Sequence, residues 1–253
     1  MKEKSMGDKR YSCILFDMDG TLVDSYEGIF HAYEWSLKQM GREFGGEAFV
    51  RRAIGAPLLW AFESLCGMGL AEVERAAAEY RAYYARKGKH QVRVYAGMKK
   101  ALRQLREGGL FLAAATLKKE SFAREILEEQ GLLPYFGAVC GMDENDSLTK
   151  ADLIRRGIEA AGCKREEAIL VGDSTFDAHG ANEAGIPLLA VTYGFGFRSR
   201  KQAESSGAAL VADTAGEIPA LLGVKRCSRG FTLPTSPGFA DPFLPIYRRR
   251  ILW

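Results

Sequence analysis

Apolar and polar positions fall into two regimes along this chain. The segment YSCILFD is a short apolar run that closes on a carboxylate, with Gly20 soon after, and predicts a buried strand running into a turn. From Ser25 to about Arg93 the period lengthens to that of helices, with aromatic and alanine-rich stretches such as GIFHAYEWSLKQM and LAEVERAAAEYRAYYARK. Strands and helices then alternate. MKKALRQLREGG reads as a helix closed by glycine, and GLFLAAAT as a buried strand ending in a hydroxyl residue. Helix ESFAREILEEQG, strand GAVC, helix TKADLIRRGIEAAG, strand AILVGD, helix FDAHGANEAG and strand LLAVTYG follow, with a last strand and helix through Leu222.

Such alternation predicts an α/β fold with a mostly parallel sheet covered on both faces. The helical block is expected to be an insertion after the first strand, a cap. The expected division is a core of residues 1–24 and 95–224, a helical cap at 25–94 and an irregular tail at 225–253, where proline, glycine, arginine and aromatics follow no period. In open α/β sheets ligands bind beyond the carboxyl ends of the strands. Asp17, Thr116 and Asp173 all take that position and are expected to converge.

Bulk properties narrow the class. The chain has 253 residues, enough for a core domain with a smaller inserted one, and 47% hydrophobic and 26% charged residues are ordinary for a globular enzyme. Lys and Arg total 35 against 32 Asp and Glu, and a net +3 gives no reason to expect nucleic acid as partner. The five cysteines are scattered without a Cys-x-x-Cys pair and are read as reduced thiols. No run approaches the roughly 18 apolar residues of a membrane span, and the start lacks an apolar secretory stretch, so a cytoplasmic address is expected.

The candidate chemistry is acidic. Asp17 and Asp19 in FDMDGTLVDS can divide two roles, one carboxylate attacking phosphorus and the other giving a proton to the leaving oxygen and later taking one from water. An Asp-x-Asp-Gly turn also serves simply to cap a strand. Asp173 and Asp177 in VGDSTFD offer oxygen ligands suited to magnesium, which keeps several waters and uses few carboxylates. Asp173 equally fits the N-cap of the next helix, and Asp177 a solvated position on it. Thr116 and Lys150 can supply a hydroxyl and an ammonium to a phosphoryl group, although each residue type is also common at such positions without a role. Arg51 and Arg52 in RRAIGAPL are candidates to grip a substrate carboxylate or second phosphate.

Taken in order, DMDGTLVDS, Thr116 followed by Lys118, Lys150, and GDSTFD resemble the four signature motifs of the haloacid dehalogenase superfamily of phosphohydrolases. GAPL, YAGM, ILEEQGLLPYF, KADLI, VGDSTFDAHGAN and VTYGFG look like landmarks of its phosphoglycolate phosphatase-like branch, over roughly residues 11 to 223. The resemblance implies a Rossmann-like core with a helical cap. It implies Asp17 as nucleophile, Asp19 as acid/base, and Thr116 and Lys150 as phosphate-binding and charge-stabilising groups. Gly20, Thr21, Leu117, Lys118 and Arg52 are the expected phosphate- and substrate-binding residues, and Asp17, Asp19 (through its carbonyl), Asp173 and Asp177 the magnesium ligands. Leu117 departs from the branch, where a small or polar residue is usual.

The implied partner is a small phosphorylated substrate, the implied assembly a monomer or homodimer. Phosphatases for phosphoglycolate, nucleoside monophosphates, pyridoxal phosphate or pyrophosphate are all compatible, as is a non-catalytic binding protein of the same fold. Asp19 argues against a dehalogenase, and Ile29, where a β-phosphoglucomutase is expected to carry histidine, argues against a mutase.

Overall fold

The computed structural model describes residues 11–224; the expected tail at 225–253 lies outside them. The first strand, β1 (Cys13–Phe16), is wholly buried and leads through a tight loop to β2 (Val23–Asp24). Helices follow: α1 (Tyr26–Gln39), α2 (Gly46–Ala53), α3 (Leu58–Trp60) continuing as a π-helical turn at Ala61–Leu65, and α4 (Leu70–Arg86). β3 (Arg93–Val94) then pairs antiparallel with β2, so the helical insertion enters and leaves through one short ribbon.

The rest alternates as expected: α5 (Met98–Glu107), β4 (Phe111–Lys119), α6 (Glu120–Glu129), β5 (Ala138–Met142), α7 (Lys150–Ala161), β6 (Ala168–Gly172), α8 (Thr175–Ala184), β7 (Leu188–Val191), α9 (Arg200–Ser205), β8 (Leu210–Ala212) and α10 (Ile218–Leu221). Six strands form a parallel sheet in the order β5-β4-β1-β6-β7-β8. The chain works outward from β1 to β5, returns beside β1, and works outward again. β1 therefore marks the switch point, where crossovers diverge to opposite faces and leave a crevice.

Because side chains alternate along a strand, β1 feeds two cores. Ile14 and Phe16 join Leu112, Ile169 and Val191 on one face, while Cys13 and Leu15 join Ala113, Leu170 and Ala190 on the other. Strands buried on both faces explain the continuous apolar runs in the sequence. In the cap, α1 packs along α4 through Ala32, Tyr33 and Leu37 against Val73, Ala76 and Tyr80, and Ser36 Oγ donates to the Ala76 carbonyl at 2.7 Å. Among the described residues no helix is long and apolar enough to cross a membrane.

One expectation needs correction. β4 does not end at Thr116 but runs on to Lys119, with its register against β5 shifting between Ala115 and Lys119. The irregularity falls on the residues singled out for phosphate contact.

Helix α7 reaches the sheet through a glycine: a Cβ on Gly157 would sit 2.5 Å from Leu15 Cδ2 and 3.4 Å from Ala113 Cβ. Gly157→Val is expected to destabilise by about 2–3 kcal/mol through overpacking. For a chain of this size the thermal midpoint should fall by about 4–9 °C, measured by circular dichroism.

Candidate active site

Three adjacent strands deliver the acids and the hydroxyl. Asp17 directly follows β1, and its N–H donates to the Val171 carbonyl of β6 at 2.8 Å. The chain then turns sharply: Leu22 and Val23 N–H donate to the Met18 carbonyl, and Gly20 N–H to the Val23 carbonyl, all within 3.0 Å. Gly20 has φ +85°, and a Cβ there would fall on the Asp173 carboxylate, so only glycine serves this turn. Asp173 follows β6, its Oδ2 accepting the Phe195 N–H at 2.6 Å and the Gly196 N–H at 3.0 Å. The TYGFG loop after β7 is thus an anchor for this carboxylate.

Lys150 is the first residue of α7, whose N-cap is Thr149, Oγ1 accepting from the Asp152 N–H at 3.2 Å. Its buried Nζ lies 2.5 Å from Asp17 Oδ1 and 2.7 Å from Asp177 Oδ1. Asp177 Oδ2 accepts from Ser174 Oγ at 2.7 Å and from the N–H groups of Ser174 and Asp173 at 3.0 and 3.2 Å. Ligand oxygens of Asp17, Asp173 and Asp177 lie within 4.8 Å of one another, all three residues buried. Asp19 stands beside them, Oδ1 accepting from Ser25 Oγ at 2.5 Å and Oδ2 paired with Lys118 Nζ at 3.0 Å. Thr116 is buried in β4, and its Oγ1 accepts the Lys118 N–H at 3.3 Å.

The model of the haloacid dehalogenase-like hydrolase family matches residues 14–191. The chain belongs to this family. It is 35% identical over 188 residues to the 5'-nucleotidase of Pseudomonas aeruginosa, covering 74% of this chain and 85% of that one. It is 32% identical over 213 residues to tyrosine-protein kinase PtkA of Mycobacterium tuberculosis, covering 83% and 72%, and 31% identical over 229 residues to phosphoglycolate phosphatase of Pseudomonas syringae, covering 87% and 83%. The crystal structure of a predicted phosphatase from Clostridium acetobutylicum superposes with a TM-score of 0.78 at 33% identity, covering 83% and 96%.

Within this family member, several sequence alternatives resolve. Ser174, not Asp173, caps α8, its Oγ accepting from the Asp177 N–H, and Asp177 is 1% exposed rather than solvated. A pocket of about 650 Å³, counting space open to solvent, lies between core and cap. Asp17, Asp19, Thr116, Leu117 and Lys118 line its core side, and Tyr33, Tyr80, Tyr84 and the Ile54–Ala56 loop its cap side. Arg52 does not join them: it is exposed on α2, and the arginine lining the pocket is Arg81 of α4. Thr21 is fully buried, and its Oγ1 has no hydrogen-bond partner among the described residues.

Residues outside the sequence reading complete the surroundings. Tyr84 accepts from Lys118 Nζ at 2.8 Å while its ring lies 4.3 Å from that ammonium, so a cap helix touches the residue that holds Asp19. Ser25, six residues after Asp19, was visible only as part of DGTLVDS. The signal for Tyr84 was its helical spacing from Tyr80, which puts both on the pocket face of α4.

Electrostatically the cluster is overloaded with acid. Burial pushes the Asp17 carboxyl up to about 7, with Lys150 opposing the rise and the charges of Asp177 and Asp19 adding to it. Asp173 is driven well above its ordinary range by burial, then by Asp177 and Asp17. Burial alone would lower Lys150, but Asp17 and Asp177 hold it above its usual value. Three buried carboxylates against one ammonium make a donor set that fits a hard divalent cation.

A stability test follows, because Asp17 and Asp173 bind protons more tightly folded than unfolded. With chelator present, the Asp17 contribution to stability is full below the ordinary carboxyl value near 3.8 and is lost as pH rises through about 7, and the raised Asp173 carboxyl acts in the same direction. The thermal midpoint in chelator should therefore fall from pH 5 to pH 8. Asp173→Asn, which removes one buried charge, should raise the pH 8 midpoint by about 3–8 °C. Scanning fluorimetry across pH reads both effects.

Proposed function

We propose that this protein is a magnesium-dependent phosphatase of a small phosphorylated metabolite, phosphoglycolate phosphatase-like, working through an aspartyl-phosphate on Asp17. The observation that carries the reading is the Asp17 carboxylate on the pocket floor, 2.5 Å from Lys150 and within 4.8 Å of two further buried acids. Family membership supports the same chemistry.

Asp17 attacks phosphorus as the bond to the leaving oxygen breaks, and Asp19 gives that oxygen its proton. Asp19 then takes a proton from water, whose oxygen displaces Asp17 and releases inorganic phosphate. Lys150 opposes the effect of burial on Asp17, and Thr116 donates to a phosphoryl oxygen, with the Leu117 amide beside the same group; the Gly20 and Thr21 N–H groups, expected at the phosphate, are spent on the turn, donating to the Val23 and Met18 carbonyls. Lys118 is paired to Asp19. A phosphoryl group draws its ammonium away and frees Asp19 Oδ2 to carry the proton.

Asp17, Asp173 and the Asp19 carbonyl would hold magnesium, with Asp177 beside them directly or through water. When bound, the ion supplies positive charge to the phosphoryl oxygens. The cap excludes water until the substrate is in place. A second reading, a nucleoside monophosphate phosphatase, is favoured by the likeness to the Pseudomonas aeruginosa protein.

Hydrolysis of p-nitrophenyl phosphate should require magnesium and stop with chelator. Asp17→Asn should lower kcat by about 10³-fold or more, as loss of a covalent nucleophile does. Undiminished turnover in Asp17→Asn would refute the mechanism. Across a panel of phosphoglycolate, nucleoside monophosphates, pyridoxal phosphate and pyrophosphate, phosphoglycolate should give the highest kcat/KM, and an equal rate on all four would remove the branch-level reading alone.

A further inference from the structure

The pocket contains a second charged cluster, where the cap meets the core. Arg81 of α4 places Nη2 2.5 Å from Asp146 Oδ2, and Lys119 at the end of β4 places Nζ 3.3 Å from Asp146 Oδ1. All three line the cavity that Asp17 and Asp19 also line. Their side chains are 27%, 8% and 16% exposed for Arg81, Lys119 and Asp146, so solvent screens them weakly. Tyr80 lines the same cavity as both clusters.

The cluster has more donors than acceptors. Two cations share Asp146, and the other carboxylate near Lys119, Glu144 at 3.9 Å, is 86% exposed. Arg81 has a buried Nε–H without a hydrogen-bond partner among the described residues. A guanidinium binds carboxylate or phosphate through paired N–H groups, and here Nη2 is engaged by Asp146 while Nε–H is not.

Asp146 is held for its task by the loop before α7. It is non-glycine at φ +52°, a left-handed conformation. Asp143 fixes the loop, accepting from the Ser147 N–H at 2.8 Å and from Ser147 Oγ at 2.5 Å, while its carbonyl accepts from Lys119 Nζ at 2.5 Å. The carboxylate is thus offered to Arg81 by an anchored turn rather than a free arm.

We infer that Arg81 and Lys119 recognise an anionic group on the leaving half of the substrate, and that Asp146 is an internal mimic which this group displaces. The inference rests on the phosphatase reading and deepens it. The substrate class is a phosphate monoester that carries a second anion, a carboxylate or a second phosphate. A neutral leaving group cannot replace Asp146 and gains nothing from the pair. Since Arg81 belongs to the cap and Lys119 to the core, an anion seated between them also ties the cap down over Asp17.

The test is the ratio of kcat/KM for an anionic ester to that for phenyl phosphate, measured on the magnesium-loaded full chain. 2-Phosphoglycolate and a sugar bisphosphate serve as the two anionic esters and separate carboxylate from phosphate as the natural group. Arg81→Met should lower the ratio about tenfold, mainly through KM, and Arg81→Lys should restore part of it. Asp146→Asn, a residue that tolerates the left-handed backbone, should raise the ratio severalfold by removing the competing charge. An unchanged ratio in Arg81→Met, or a lowered one in Asp146→Asn, overturns the inference. If Arg81→Met fails to fold, the Asp146→Asn ratio decides. Absence of any hydrolysis sensitive to Asp17→Asn would instead bring down the phosphatase reading, so the two failures are distinguishable.

Discussion

Asp17, Asp173 and Asp177 are taken out of water within 4.8 Å of one another, and Lys150 reaches two of them. At such a separation each like-charge pair repels by about 3 kcal/mol for an effective dielectric of roughly 20. Nothing in the packing of the sheet requires this arrangement. The fold tolerates it because backbone N–H groups, the Lys150 ammonium and raised carboxyl affinities for protons share the strain. A site kept under electrostatic tension is poised to take up positive charge, and the rest of the pocket is organised around that demand.

The sheet order is what makes the concentration of charge possible. β4, β1 and β6 are neighbours in space, so Asp17, Thr116 and Asp173, far apart in sequence, end at one edge. The helices that follow point their first turns at the same place: Lys150 opens α7, and Ser174 caps α8 while sharing Asp177 with the backbone. Close approach is secured by glycines. Gly20 can lie against Asp173 only because it has no side chain.

The fold and the acids were legible because they depend on local patterns. Apolar runs ending in Asp17 and Asp173 identify strand ends without knowledge of the partner strands, and ordered motifs supply the missing proximity. What the sequence did not reveal depends on long-range geometry. Arg81 and Arg52 look alike on helices rich in arginine, and only the crossing of α4 over the pocket puts one inside and leaves the other on the surface. Asp146 sits in a polar loop, DENDSL, where any of its acids reads as solvated. The extension of β4 past Thr116 was hidden for a related reason: polar Lys118 and Lys119 break the apolar run, yet both are held by acids that come from elsewhere in the chain.

The paired ribbon of β2 and β3 has a consequence for how such proteins diversify. Both ends of the helical insertion meet at two adjacent two-residue strands, so its length and composition are decoupled from the six-stranded sheet. The register of the core strands depends on the insertion only through its ends, which stay side by side. A different module with neighbouring termini leaves the register of every core strand unaltered while it rebuilds the chamber above Asp17, and what it must supply anew are the contacts that Ser25 and Tyr84 make to Asp19 and Lys118.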